Sequence, residues 1–224
     1  MNQTITDNQT SSVSEIRRER ERAEMMERIM DAARAMFVQD GYGAVTLRKI
    51  ALAIEYSPGA IYQYFKDKQT LVKAIIQKDQ QDLRNQIMAC MLFEEPRARL
   101  IEMARRYAQW GVSHPNHYML LLAPPSSWVK QENELRQDTP TPLEQEAIKI
   151  LYESVKDAMR RGVFKDKYAN PSLIAATLWA GIHGVIMLEI GLTEYDRSLI
   201  GEKNLSFDDK FDMLKEVFLD GLVK

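Results

Sequence analysis

The sequence predicts an all-α protein of about nine helices, arranged as a small N-terminal helical unit followed by a larger helical domain. Two observations predict this. The strong hydrophobic periods fall at three- and four-residue steps. Helix-start signals also recur along the chain: Thr46, Ser57-Pro58, Asp67, Thr141-Pro142-Leu143-Glu144, Asn170-Pro171 and Ser206 with Asp209.

The first 12 residues are polar, and residues 1–14 are expected to form a disordered tail. Ser12 with Glu15 suggests a capping box that opens the first helix. Its early turns carry Arg17, Arg18, Arg20, Arg22 and Arg28, interleaved with Glu15, Glu19, Glu21, Glu24 and Glu27. That pattern reads either as a self-paired solvated face or as a basic arm against phosphate. Met26, Ile29, Met30, Ala33 and Phe37 form the apolar stripe of the same helix, which Gly41 ends.

Residues 46–65, TLRKIALAIEYSPGAIYQYF, carry the densest signal. Thr46 caps a short helix from about Leu47 to Ile54, with Ile50, Ala51 and Ile54 turned inward. Ser57-Pro58 restarts the chain for a second short helix to about Phe65, with Ile61 and Phe65 facing the core. Two short helices joined by a tight turn form a helix-turn-helix, whose second helix reads the major groove. The predicted domains are therefore a helix-turn-helix unit over 15–70 and a second domain over 71–224.

Asp67 caps a long helix running through Leu71, Ile75, Leu83 and Met91. Lys68 stands in its first turn, where a cation opposes the helix dipole, a placement that a nearby phosphate would explain. Pro96 opens the next helix, His114-Pro115 breaks it, and Asn116–Leu122 forms a short segment. Residues 123–140 have little pattern and exceed the usual loop length, which suggests a lid or a mobile loop. Three further helices are expected, from Thr141 to Gly162, from Asn170, and from Ser206 through Phe207, Phe211, Leu214, Phe218 and Leu222. The run 173–188 is membrane-like, but it is shorter than the roughly 20 residues a span needs and holds His183, so a buried helix is expected.

Thr46, Arg48, Ile50, Ala51, Ser57, Gly59, Tyr62, Tyr64-Phe65-Lys66 and Lys68 stand as in the TetR family of transcriptional regulators, which the sequence resembles. The turn departs from the family's common Ala-Gly-Val, reading Ile54-Glu55-Tyr56. If a residue there has positive φ, the strain costs on the order of 1 kcal/mol. Farther on, Leu178-Trp179-Ala180-Gly181-Ile182-His183-Gly184 resembles the Trp-Gly-His-Gly signature of one TetR-type regulatory domain. Arg161-Gly162-Val163-Phe164 and His114-Pro115…Tyr118 agree with that pattern.

The resemblance implies a homodimeric regulator that binds a double-stranded DNA operator and answers to a small-molecule effector. By matching position, Thr46, Arg48, Tyr62 and Lys68 hold phosphates, Pro58, Gly59, Ala60, Gln63 and Tyr64 face the groove, and Ser57 belongs to the same DNA-binding set. A ligand pocket is expected among Tyr107, Trp110, His117, Tyr118, Trp128, Trp179, His183 and Met187. The small residues of the 173–188 helix and the phenylalanine row of the last helix suggest a two-fold dimer through those two helices.

Composition limits the alternatives. The 224 residues are 45% hydrophobic and 28% charged, with a net charge of −2, so contact with DNA must come from a local patch. Over residues 1–75, 11 Lys/Arg face 10 Asp/Glu. Cys90 is the one cysteine, which excludes an internal disulfide and suits a cytoplasmic protein. No catalytic motif, metal site or cofactor is expected, and no membrane association. The rival reading is a helical small-molecule-binding or enzymatic protein whose first helices serve only packing.

Overall fold

The computed structural model describes residues 4–122, 143–199, 201 and 205–223 and is built of helices, with no strand among those residues. In order these are α1 (Thr4–Asp40), α2 (Leu47–Ala53), α3 (Lys68–Ala89), α4 (Pro96–Ser113) and α5 (Pro115–Leu122). They continue as α6 (Leu143–Arg160), α7 (Pro171–Gly191), α8 (Glu194–Leu199) and α9 (Phe207–Lys215). The chain forms two compact units that divide between Gln77 and Lys78, inside α3.

In the first unit Ile29, Ala33 and Phe37 of α1, Ile50 and Ala51 of α2, Ile61, Phe65, and Leu71 and Ile75 of α3 are all buried. α1 begins at Thr4, so Ser12 lies within the helix instead of opening it, and the residues assigned to a tail continue the helix. Gly41, with φ of 78°, lets the chain leave α1 into a 3₁₀ turn at Tyr42–Ala44. Thr46 caps α2 by accepting from the Lys49 N–H at 3.2 Å.

The segment after Ser57 differs from expectation. Ser57 accepts from the Ala60 N–H at 3.2 Å, but only a 3₁₀ turn forms, Ala60–Gln63, in place of an α-helix from Pro58 to Phe65. Ile61 and Phe65 still point into the core, so a single tight turn places both anchors, and Tyr64 already closes it onto the Ile61 carbonyl at 3.0 Å.

Arg34 is a core cation, 1% exposed, with its guanidinium 2.6 Å from Asp31 and 3.5 Å from Glu27. These carboxylates make its burial tolerable, since an unpaired charge there would cost several kcal/mol, about 3–5 by analogy with broken buried pairs.

The second unit has two cores. Leu83, Ile87 and Cys90 meet Met103, Tyr107, Trp110, Tyr118, Ile182, Ile186 and Phe211 in one. Leu100, Val155, Ala158, Phe164, Ile174 and Ala175 form the other. Burial pushes the Cys90 thiol up to about 11, so it is an inert packing group. Gly162, φ 68°, ends the α6 region, and Phe164 pairs with Val223 in an isolated bridge that anchors the chain's end.

α7 is long and apolar enough to cross a membrane by length and composition, yet only 22% of its most apolar window is buried within this chain. It is therefore less buried than expected. Ile174, Ala175, Ile182 and Ile186 face inward, whereas Leu173, Ala176, Thr177, Ala180 and Leu188 form an exposed stripe. Gly181 is approached by its own chain: an added Cβ would stand 3.1 Å from Leu214 and Phe218. The phenylalanine row expected to face outward packs inward, because Phe211 is buried and Phe207 packs on the same core. The last helix instead exposes Met213 and Val217, each 62% accessible. A short helix, α8, and a π-helical turn at Glu216–Asp220 complete the unit.

Glu55, after α2, has φ of 57° and is the one non-glycine with positive φ among the described residues. Left-handed strain of about 1–2 kcal/mol at a residue with a Cβ exceeds the entropy a glycine adds to the unfolded chain, about 0.4–1 kcal/mol. Glu55→Gly is therefore expected to stabilise the protein by about 0.5–1 kcal/mol, read as a higher denaturant midpoint. A lower midpoint would mean that this turn stores no strain.

Candidate functional site

The outward face of the first unit collects the residues singled out from the sequence. Thr46, Arg48, Ser57, Gly59, Tyr62 and Gln63 are exposed, and Pro58, Ala60 and Tyr64 are half-buried. Leu47, Ile50, Ala51, Ile61 and Phe65 occupy the opposite, inward face. Arg48 has no ion-pair partner among the described residues.

α1 contributes to this face. The Arg22 guanidinium donates to the Gln63 carbonyl at 3.1 Å and lies 5.3 Å from the centre of the Tyr64 ring. It thus pins the 3₁₀ turn from outside. Arg17 pairs with Glu21 at 3.1 Å and Arg20 with Glu24 at 3.5 Å, which makes these two arginines part of a self-paired helix face.

Lys68 is turned into its own unit. Its ammonium donates to the Tyr42 carbonyl and, at 2.7 Å, to the Val45 carbonyl, and it lies 3.6 Å from the centre of the Tyr42 ring. Partial burial lowers its pKa. These partners explain a cation in the first turn of α3, where Asp67 also caps the helix by accepting from the Thr70 N–H at 2.7 Å.

In the second unit four of the aromatic and histidine residues form one chain of hydrogen bonds. Trp179 Nε1 donates to Tyr107 Oη at 3.0 Å, the two tyrosine hydroxyls are 3.2 Å apart, and Tyr118 Oη lies 2.6 Å from His183 Nδ1. Trp179 can only donate, so every group is satisfied when Tyr107 donates to Tyr118 and Tyr118 donates to His183. That arrangement leaves the proton of neutral His183 on Nε2. Burial lowers the His183 pKa and raises that of Tyr118, which keeps both neutral. Gly111 makes room for the network: an added Cβ would meet the Tyr118 ring at 2.8 Å.

Trp110 is not in this chain. It stacks on His114 with centroids 5.8 Å apart and meets His117 edge-on at 6.3 Å. His117 Nδ1 is 3.1 Å from Asp79, a buried carboxylate on α3. Met187 packs on the first core of this unit, and Trp128 lies outside the described residues. Among the described residues no cluster of three His, Cys, Asp or Glu side chains is placed to hold a metal.

Tyr107 and Trp179 also border an apolar cavity of about 90 Å³ between α4, α6, α7 and the last helix. Its other walls include Ile87, Met103, Leu151, Leu178, Ile182 and Phe211. These walls carry no signal of their own in the sequence, because the cavity is made from the ordinary apolar faces of several helices. A wider hollow of about 600 Å³, bordered by Tyr168, Leu173, Thr177 and Val217, lies on the exposed side of α7.

Gly111→Ala is expected to destabilise the protein by about 1–3 kcal/mol, since the Tyr118 ring cannot retreat without breaking its bond to His183. An unchanged unfolding midpoint would show that the helices part freely. The His183 shift has a pH consequence. Its folded pKa lies below the unfolded value near 6.5, so its contribution is complete above about pH 6.5 and is lost as pH falls through the folded value. His183→Gln should lose less stability than the parent between about pH 7.5 and pH 5. Identical pH dependence in both proteins would contradict a buried neutral histidine.

Comparison with known proteins places these features in a family. Residues 29–75 match the family model "Bacterial regulatory proteins, tetR family", and residues 100–208 match "Tetracyclin repressor-like, C-terminal domain". The HTH-type transcriptional regulator UidR of Escherichia coli is 37% identical over 54 residues, 24% of this chain and 28% of that protein. The HTH-type transcriptional repressor Rv1474c of Mycobacterium tuberculosis is 41% identical over 51 residues, 23% of this chain and 27% of that protein. The matched segments thus span little more than a quarter of these curated relatives. A Clostridium perfringens putative fatty acid metabolism regulator shares the fold, with a TM-score of 0.67 at 19% identity over 88% of this chain and 99% of that one. With two models of one family matching more than two thirds of its length, the chain belongs to the TetR family of bacterial regulatory proteins.

Proposed function

We propose that the protein is a ligand-responsive, DNA-binding transcriptional regulator of the cytoplasm, a repressor that binds a palindromic operator as a homodimer and leaves it when a small molecule binds. The observation that carries this reading is the first unit's division into two faces. Ile50, Ile61 and Phe65 fill the core, and Thr46, Arg48, Tyr62 and Gln63 stand exposed on short capped elements. In this reading the helix-turn-helix unit reads DNA, and the remainder of the chain binds the effector and a second subunit. Repression is carried over from the likeness to the HTH-type transcriptional repressor Rv1474c.

Thr46, Arg48 and Tyr62 are assigned to phosphates, and Pro58, Gly59, Ala60, Gln63 and Tyr64 to the groove, with Ser57 capping the turn that presents them. Phosphate contacts set register and groove contacts set sequence. Lys68 is assigned an indirect part, since its bonds to the Tyr42 and Val45 carbonyls hold the turn that leads into the Thr46 cap. The effector, by widening or narrowing the spacing of the two reading heads away from one helical turn, about 34–36 Å, would abolish simultaneous docking.

The second subunit is assigned to the exposed stripe of α7 together with Met213 and Val217. Small residues Ala176 and Ala180 there allow close helix approach, and a neighbour would cover an otherwise unburied apolar surface. An enzymatic reading has no comparable support, since no catalytic constellation emerges from the Tyr107, Tyr118, Trp179 and His183 network.

Arg48→Ala is expected to weaken binding to every duplex and to reduce the slope of log affinity against log salt by about 1, measured by fluorescence anisotropy. Gln63→Ala should instead change preference at one base position by about 1–3 kcal/mol. Equal effects of both variants on all sequences would remove the distinction between phosphate and groove residues. Met213→Glu with Val217→Glu should give a folded monomer by light scattering, with weakened operator binding. A dimer of unchanged mass would place the interface elsewhere.

A further inference from the structure

We infer that the cavity bordered by Tyr107, Leu151, Leu178, Trp179, Ile182 and Phe211 takes a compact, neutral, apolar effector, an inference that rests on the proposed reading of this unit as effector-binding. Its size comes first. At about 90 Å³ it is far below the roughly 300–1,000 Å³ of sites for drug-sized ligands, and closer to the roughly 150 Å³ apolar cavities that hold benzene. A single ring or a chain of about six carbons is the scale it accommodates. Ile148, 43% exposed, and Lys215 mark the side on which it reaches solvent.

Charge decides the class. The polar groups at the wall are already paired: Trp179 Nε1 donates to Tyr107 Oη, and Tyr107 is bonded to Tyr118. The one cation at the lining among the described residues, Lys215, donates to Asp212 at 2.8 Å. A neutral apolar guest therefore leaves no buried polar group newly unsatisfied, and it covers only aliphatic and aromatic wall. A carboxylate would have to shed its water against that wall or take Lys215 from Asp212, and both cost affinity. The fit thus separates a neutral hydrocarbon or monocyclic aromatic from the anionic acid of the same size.

The test is calorimetric titration of the intact protein with toluene and, separately, with benzoate at pH 7.5. Saturable binding of toluene, tighter than benzoate by about tenfold or more, is expected. Leu178→Trp, which fills the cavity, should abolish toluene binding, and Ala104→Leu supplies a second filled cavity if the first variant does not fold. Benzoate binding as tightly as toluene, no binding of toluene, or toluene binding undiminished in a folded filled variant would each overturn the inference. Operator binding measured on the same preparation separates the two claims. Toluene binding that leaves DNA affinity unchanged would uphold this cavity and contradict ligand control of DNA. DNA binding without toluene binding would overturn this cavity's occupant and leave the DNA-reading proposal standing.

Discussion

The Lys68 ammonium fixes the geometry on which the first unit depends. A cation at a helix N-terminus is repelled by the dipole, and here the carbonyls of Tyr42 and Val45 and the face of the Tyr42 ring offset that repulsion. The same contacts tie the start of α3 to the turn between α1 and α2. Because Val45 immediately precedes the Thr46 cap, they also set where α2 begins. The exposed row of Thr46, Arg48, Tyr62 and Gln63 is presented by elements whose ends are held by side chains: Thr46, Ser57, Asp67 and Lys68. Arg22, reaching from α1 to the Gln63 carbonyl, closes the set.

The second unit solves a different problem. Its buried hydroxyls and ring nitrogens must all be paired, and Trp179, Tyr107, Tyr118 and His183 satisfy one another across α4, α5 and α7. Only Gly111 permits the approach that this requires. The network in turn satisfies the Tyr107 and Trp179 polar groups at the wall of the adjoining cavity. The outer stripe of α7 remains apolar because the chain itself covers only the inner one.

How much of this was legible in the sequence follows from the range of the forces involved. Caps are local, so Thr46, Ser57, Asp67, Asn170 and the Ser206–Asp209 box could be read directly, and each accepts the expected N–H. Periodicity placed Ile50, Ile61, Phe65, Leu71 and Ile75 inside. The inward bonds of Lys68 are not legible in the sequence, because its partners lie 23 and 26 residues away. Arg34 was passed over because a buried arginine differs from a surface one only by its neighbours. The outward face of the last helix was assigned to the wrong residues for a related reason. Phe207, Phe211 and Phe218 look like a surface in need of cover until Gly181 admits Phe218 and Leu214 of the same chain. The cavity was least legible, since nothing in the spacing of Leu151, Leu178 or Ile182 separates a wall from a core.

The proposed reading of DNA sequence by a dimer rests on the capped, outward face of the first unit. The most direct measurement is selection of purified protein on randomised duplex DNA across a salt series, followed by sequencing of what is retained. Enrichment of a near-palindrome with half-sites about one helical turn apart, and affinity that falls steeply as salt rises, is the predicted result. Weak retention with no sequence enriched at any salt concentration would contradict the account and leave the capped face of the first unit as packing alone.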